Sequence, residues 1–281
     1  MTNIIDGKTV AANIAEELSQ EIKNLERKPC LAVIIVGDDP ASKIYVNNKK
    51  KKAVSLGLES VVIQLPEIVS EDELLEQIKK LNADVSINAI LVQLPLPAHI
   101  NSTKVINTIS PQKDVDCFHP CNVGKISSNE STDLFPCTPR GIIRLLDEYK
   151  IPLEGANIVV VGRSNIVGRP LSQMFINRNA TVTVCHSKTK NLGEITKTAD
   201  ILVSAVGKEK IITANMVKSG AVVIDVGINR NVDGKLAGDV DFENVKEIAS
   251  FITPVPGGVG PMTIISLMQN TVLLYKKQNV I

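Results

Sequence analysis

Val159-Val160-Val161-Gly162-Arg163-Ser164-Asn165-Ile166-Val167-Gly168-Arg169-Pro170 is the stretch from which the rest of the chain can be read. Its apolar run, the mark of a buried parallel strand, stops at a glycine. A short polar turn follows, and a second glycine and a proline open a helix-like segment. Such a strand–turn–helix presents backbone N–H groups and the positive end of a helix dipole to an anion. A dinucleotide pyrophosphate is the expected anion. Ser164 stands where the usual G-x-G-x-x-G has its second glycine, so an ordinary strand-to-helix turn is the other reading.

Outward from this turn, the second half repeats a strand–helix rhythm. Strand-like runs are 157–161, 181–185, 201–205, 221–226 and, more weakly, 251–253. Most are one βα unit apart, as a parallel sheet with crossover helices requires. Gly207, Gly227 and Gly258 sit near strand C-terminal ends, where ligands of such sheets gather. The first half alternates too. Helices are expected over 10–25, 42–56, 70–81 and 101–109, and strands over 31–36, 60–65 and 87–94. Ser70 and Glu73 form a capping-box signal. Residues 111–137 read as irregular. Thr138-Pro139-Arg140 then opens a helix through Tyr149 that could connect two domains, and Met262–Lys277 could be a second connector. The fold class is therefore α/β, with a doubly wound parallel sheet in the second half.

The 281 residues suffice for one large or two ordinary α/β domains, and 44% hydrophobic content allows a sizeable core. A net charge of +1 argues against nucleic-acid or membrane-surface attraction. Aromatic residues are only 3%, with no tryptophan, so stacking platforms for single strands are not expected. No secretory signal or membrane-length apolar run is visible, and a soluble cytoplasmic protein is expected. Five irregularly spaced cysteines suit reduced thiols. The Cys117-x-His119-x-Cys121 spacing matches no common zinc pattern, so no metal is expected.

The second strand of the nucleotide half ends in Cys185-His186-Ser187-Lys188. NAD-selective sites usually place a carboxylate there for the ribose hydroxyls, and none is present. Arg163, Ser187 and Lys188 instead offer donors and positive charge to a 2′-phosphate, which favours NADP. The alternative is that Arg163 and Lys188 are solvated surface charges.

In the first half, Tyr45 and Lys49 are four apart on an expected helix, hence on one face. A lysine beside a phenol and partly withdrawn from water can carry protons. Lys49 also begins a four-lysine run through Lys52, the usual pattern of a solvated face. Gln93 interrupts an apolar run before Leu94-Pro95-Leu96-Pro97. A buried amide needs partners, which could be the loop backbone or Lys49. Asp114 and Asp116 could make Asx-turns or bind an amidine-like heterocycle edge through paired N–H bonds. The Thr253–Thr263 stretch, rich in proline and glycine, is either a stiff loop or a rigid wall against a ligand.

These segments together resemble the bifunctional methylenetetrahydrofolate dehydrogenase/methenyltetrahydrofolate cyclohydrolase family. The resemblance runs in order through Val36–Ser42 with Tyr45 and Lys49, Gln93–Pro97, Lys113–Asp116, Pro136–Pro139, Gly162–Gly168, Asp225–Asn229, Gly238–Val240 and Pro254–Thr263. It implies two α/β domains joined by two helices with a cleft between them, and a homodimer formed through the nucleotide domains. Residues 1–137 would form the folate-binding catalytic domain, with 262–281 packing back on it, and 138–261 the NADP domain. Catalysis would fall to Lys49, Tyr45 and Gln93. Folate would meet Tyr45, Gln93, Asp116, Pro256 and Gly260, and NADP would meet Gly162, Arg163, Ser164, Ser187 and Ile228. The implied activity is oxidation of 5,10-methylenetetrahydrofolate followed by hydrolysis to 10-formyltetrahydrofolate, within one-carbon metabolism. The lysine run would draw in a polyglutamate tail. Alternatives are a dehydrogenase lacking the hydrolytic step and a non-catalytic NADP-binding protein. One departure is Cys117, where the family usually has glycine.

Overall fold

The computed structural model describes residues 2–231 and 234–279. In chain order its first elements are β1 (Asn3–Ile4), α1 (Gly7–Lys23), β2 (Cys30–Val36), α2 (Pro40–Leu56), β3 (Glu59–Leu65), α3 (Glu71–Ala83) and β4 (Ala89–Val92). The short helices α4 (Ser102–Thr108) and α5 (Pro120–Ser127) and then α6 (Cys137–Glu148) follow. The second half runs β5 (Asn157–Val161), α7 (Gly168–Ile176), β6 (Thr181–Cys185), α8 (Leu192–Thr196), β7 (Ile201–Ser204) and β8 (Val222–Asp225). It closes with β9 (Asn229–Arg230), β10 (Leu236–Ala237), α9 (Phe242–Val245), β11 (Phe251–Ile252) and α10 (Val259–Gln278).

The chain divides into two compact units. One holds Asn13–Lys125, Ser131–Phe135 and Ile264–Ile281, the other Met1–Ala12, Ile126–Glu130 and Pro136–Thr263. The first has a parallel sheet of order β3-β2-β4. Leu31, Ala32, Val33 and Ile34 of its central strand are fully buried, because a strand covered on both faces has no side for water. The segment after α4 extends this sheet, since the Ile90 N–H donates to the Lys113 carbonyl at 2.7 Å. Ser70 caps α3 reciprocally with Glu73, as its spacing predicts.

The second unit is built on a six-stranded sheet of order β1-β11-β8-β7-β5-β6, with every neighbouring pair parallel. The strand order reverses at β5, which has β6 on one side and β7 on the other. Open α/β sheets bind ligands at such a switch point, beyond the strand C-termini. In this chain that position is Gly162.

Several sequence expectations differ from the structure. Residues 2–12 group with the six-stranded unit, because β1 pairs with β11 rather than with the front half. α6, read as a connector, lies wholly in the six-stranded unit, whereas α1, α5 and α10 each have residues in both units. Thr138 Oγ1 and Thr263 Oγ1, 2.9 Å apart, link α6 to the start of α10. The stretch read as irregular contains α5. The Pro/Gly-rich stretch is shorter than expected, since Val259 onward is already helix. Val280 and Ile281, the end of the expected C-terminal segment, lie outside the described residues.

Candidate active site and nucleotide site

In the three-stranded unit, Asp39 starts α2 by accepting the Ser42 N–H at 2.7 Å, and Pro40 occupies the first turn. Gly57, at φ 94°, ends the helix in the left-handed conformation. Ser42, Val46, Ala53 and Leu56 form its buried stripe. Tyr45 and Lys49 therefore fall beside that stripe, Tyr45 38% exposed and Lys49 half-buried. Lys50 and Lys51 are exposed, as the solvated-face reading expects, whereas Lys52 is half-buried.

Gln93 follows the C-terminal end of β4. Its N–H donates to the Ile34 carbonyl at 2.8 Å and its Nε2 to the Leu94 carbonyl at 2.7 Å. That leaves Oε1 to accept from Lys49 Nζ at 2.9 Å. Both readings of Gln93 are thus realised at once: the loop backbone orients the amide, and the oriented amide holds the ammonium.

The two aspartates separate. Asp114 is buried, and its carboxylate accepts the His119 N–H at 2.8 Å and Asn122 Nδ2 at 2.9 Å. Burial pushes its carboxyl above the ordinary range. It braces the turn. Asp116 is half-buried and lines a cavity with Val92, Leu94, Val105 and Phe118. Cys117 has φ 59°, a backbone conformation that favours glycine, and its side chain is fully buried with Sγ 3.5 Å from the Leu134 carbonyl. The thiol packs inward, and burial raises its pKa. Among the described residues no three His, Cys, Asp or Glu side chains are grouped to hold a metal ion.

In the six-stranded unit, Gly162 has φ 128°, and a Cβ there would collide with the Ala205 carbonyl. A Cβ at Gly168 would collide with the Gly162 carbonyl. The two glycines let the ends of β5 and β7 and the start of α7 close on one another. Ser164 uses its side chain: Oγ accepts the N–H groups of Val167 at 3.2 Å and Gly168 at 3.4 Å. These two groups at the start of α7 are thus spent within the protein rather than left for an anion. Arg163, Ser164, Asn165 and Ile166 are exposed.

Beside this turn, Gly162 N–H donates to the Cys185 carbonyl at 2.8 Å, joining it to the end of β6. The turn after β6 closes through His186 N–H to Thr189 Oγ1 at 2.9 Å and Lys188 N–H to His186 Nδ1 at 3.1 Å. Ser187 and Lys188 are left exposed. Arg163, Ser187 and Lys188 thus lie just past the C-terminal ends of the neighbouring strands β5 and β6, without a carboxylate in either turn, a donor set that suits a phosphorylated ribose. Ile228 is 47% exposed, just past the end of β8. Pro256 is exposed, and Gly260 lies in the first turn of α10 rather than in a loop.

Sequence reasoning missed the role of two buried carboxylates at the ends of β7 and β8. Asp225 Oδ1 accepts the N–H groups of Gly227 and Asp239, each at 2.9 Å, and Oδ2 accepts the Val240 N–H at 2.9 Å. Burial, with the neighbouring Asp239 charge adding, pushes the Asp225 carboxyl up to about 6. Asp239 Oδ2 accepts from Val206 N–H at 2.7 Å, Gly207 N–H at 3.2 Å and Ser204 Oγ at 3.2 Å. Its Oδ1 accepts from Lys208 N–H at 2.8 Å and Asn229 Nδ2 at 3.1 Å. The available signal was an aspartate closing an apolar run, and glycines at 227 and 238. A Cβ at either glycine would collide with one of these carboxylates.

Comparison with known proteins places this geometry among relatives. Residues 5–116 match the tetrahydrofolate dehydrogenase/cyclohydrolase catalytic domain, and residues 136–279 match the NAD(P)-binding domain of the same family. The bifunctional protein FolD of Ligilactobacillus salivarius is 55% identical over 280 residues, covering 99% of this chain and 98% of that one. The crystal structure of the bifunctional methylenetetrahydrofolate dehydrogenase/cyclohydrolase of Campylobacter jejuni superposes with a TM-score of 0.96 at 48% identity, covering 99% of each chain. That of Trypanosoma brucei, complexed with NADP cofactor and inhibitor, gives 0.94 at 38% identity, covering 98% of each.

Proposed function

The chain belongs to the tetrahydrofolate dehydrogenase/cyclohydrolase family, and from that premise we propose how its residues divide the work. The protein is a bifunctional enzyme. It oxidises 5,10-methylenetetrahydrofolate with NADP+ and then hydrolyses 5,10-methenyltetrahydrofolate to 10-formyltetrahydrofolate. Bound NADP+ supplies the hydride acceptor of the first reaction. Gly162, Arg163, Ser164, Ser187 and Ile228 are the residues proposed to hold it.

Oxidation leaves a cation on the one-carbon bridge that the adjacent nitrogen lone pair stabilises. No strong acid or base is required of the protein, which contributes orientation. Asp116 is proposed to fix the pterin by accepting paired N–H bonds from its amidine edge, a task open to a half-buried carboxylate at a cavity wall. The contacts proposed for Pro256 and Gly260 rest on the resemblance of their stretch.

Hydrolysis differs, because water adds to the methenyl carbon and protons must move before the ring C–N bond opens. Lys49 is the proposed proton carrier. Gln93 holds its Nζ from one side, and Tyr45, one helical turn earlier on the same face, is proposed to align it and the substrate. The Lys49–Gln93 contact carries this reading. Lys49→Gln is expected to abolish hydrolysis while leaving NADP-dependent oxidation measurable by reduced-cofactor absorbance. Parallel loss of both activities would dismiss Lys49 as a proton carrier specific to hydrolysis.

Exposed Lys50 and Lys51 are offered as attractors of an anionic glutamate tail, an effect that added salt would weaken. A homodimer and a cytoplasmic setting complete the proposal. Among the described residues no helix is long and apolar enough to cross a membrane.

A further inference from the structure

Two exposed apolar side chains, Val206 (42%) and Ile228 (47%), stand just past the ends of the adjacent strands β7 and β8. These two sit at the strand ends where this sheet class takes its ligand. The segments that carry them are held by Asp239.

Asp239 is fully buried and follows the β9–β10 hairpin. It accepts the consecutive N–H groups of Val206, Gly207 and Lys208, the Ser204 hydroxyl, and the side-chain amide of Asn229 next to Ile228. Asp225 backs it from below, taking the Asp239 N–H and the Gly227 N–H on the other side of Ile228. Gly227 and Gly238 leave the room these carboxylates need. An anion accepting several N–H bonds makes each of them stronger than a neutral acceptor would.

We propose that Asp239 is a positioning residue for the nicotinamide cofactor, its carboxylate fixing the Val206–Lys208 turn and the Ile228 segment as one preformed apolar wall. The inference rests on the reading that NADP binds at these strand ends. Ala205, which begins the held turn, already abuts Gly162 of the glycine turn, so displacing the turn would displace that floor. Loss of preorganisation is paid as weaker cofactor binding.

The test is Asp239→Asn, which keeps the size but turns an amide NH2 toward some of the same donors. In the cofactor-free protein, hydrogen exchange at the amides of Val206, Gly207 and Lys208 should accelerate about tenfold or more, because charged hydrogen bonds are lost. Exchange in β5 should not change. The dissociation constant for NADP, measured by titration without folate, should rise by about tenfold, while hydrolysis assayed without nucleotide persists. Should Asp239→Asn fail to fold, Ser204→Ala removes one donor and keeps the carboxylate. It should shift exchange and NADP affinity in the same direction by about threefold. Faster exchange with unchanged NADP affinity, or equal acceleration across the whole unit, would overturn the proposal. If the unaltered enzyme binds no NADP, the cofactor reading fails instead, a result the wild-type titration shows separately.

Discussion

Gln93 shows how one side chain can serve structure and chemistry together. Its amide has two donors and a carbonyl, the backbone takes one donor, and the carbonyl is left for Lys49. The residue was visible in the sequence as a polar break in an apolar run. Its contact with Lys49 was visible only as one of two options, since the two lie on different elements. Ser164 is a comparable case. Its departure from the glycine pattern costs nothing at the turn, because its hydroxyl takes up two N–H groups near the start of α7. Arg163 is the residue proposed to bear the cofactor preference. Arg163→Ala should raise KM for NADP by about 10- to 100-fold, as loss of a charged phosphate contact implies, and change KM for NAD little. Equal losses for both cofactors would end the 2′-phosphate argument. Cys117 occupies a left-handed backbone position that favours glycine, at a cost of about 1–2 kcal/mol. Its buried side chain offsets part of that cost.

At the scale of elements, the ends of β7 and β8 carry a pH signature. The Asp225 carboxyl titrates at about 6 in the folded protein, above its unfolded value near 3.8. Between these values the native state keeps a proton that the unfolded chain has lost, so the contribution of this one group to stability falls as pH rises from about 4 to 6 and is then level. The change is of order 2–3 kcal/mol. Denaturant unfolding of the wild type and Asp225→Asn across this range checks it. The wild type should lose stability relative to the variant as pH rises, and a constant difference would refute the shift. Most longer strands and helices were legible from periodicity and caps, α3 through its Ser70–Glu73 box above all. The two-residue strands β1, β9 and β10 were not. Two residues carry no period, and β1 finds its partner β11 at the far end of the chain.

For the whole molecule, the two sheets share one logic. In each, the earliest long strand lies between the next two long strands of its sheet, which puts a switch point at the end of β2 and another at the end of β5. The proposed folate and nucleotide residues follow strand ends of this kind. The six-stranded sheet leaves β6 at an edge, with Thr181, Thr183 and Val184 exposed. An open edge is a template for pairing, and a second copy of the nucleotide unit is the proposed occupant. Sedimentation should give twice the chain mass at micromolar concentration, and replacing Val184 with Lys should shift it toward the monomer. A monomeric wild type would refute the dimer. Fold class, the glycine turn, the Lys49 helix and the absence of a ribose-binding carboxylate were all readable from residue order, because each depends on neighbours a few positions away. The bracing role of Asp114, the pairing of β1 and the hold of Asp239 on two strand ends were not. Burial and convergent hydrogen bonds join residues that are distant in the chain, and only folding brings their donors to one carboxylate.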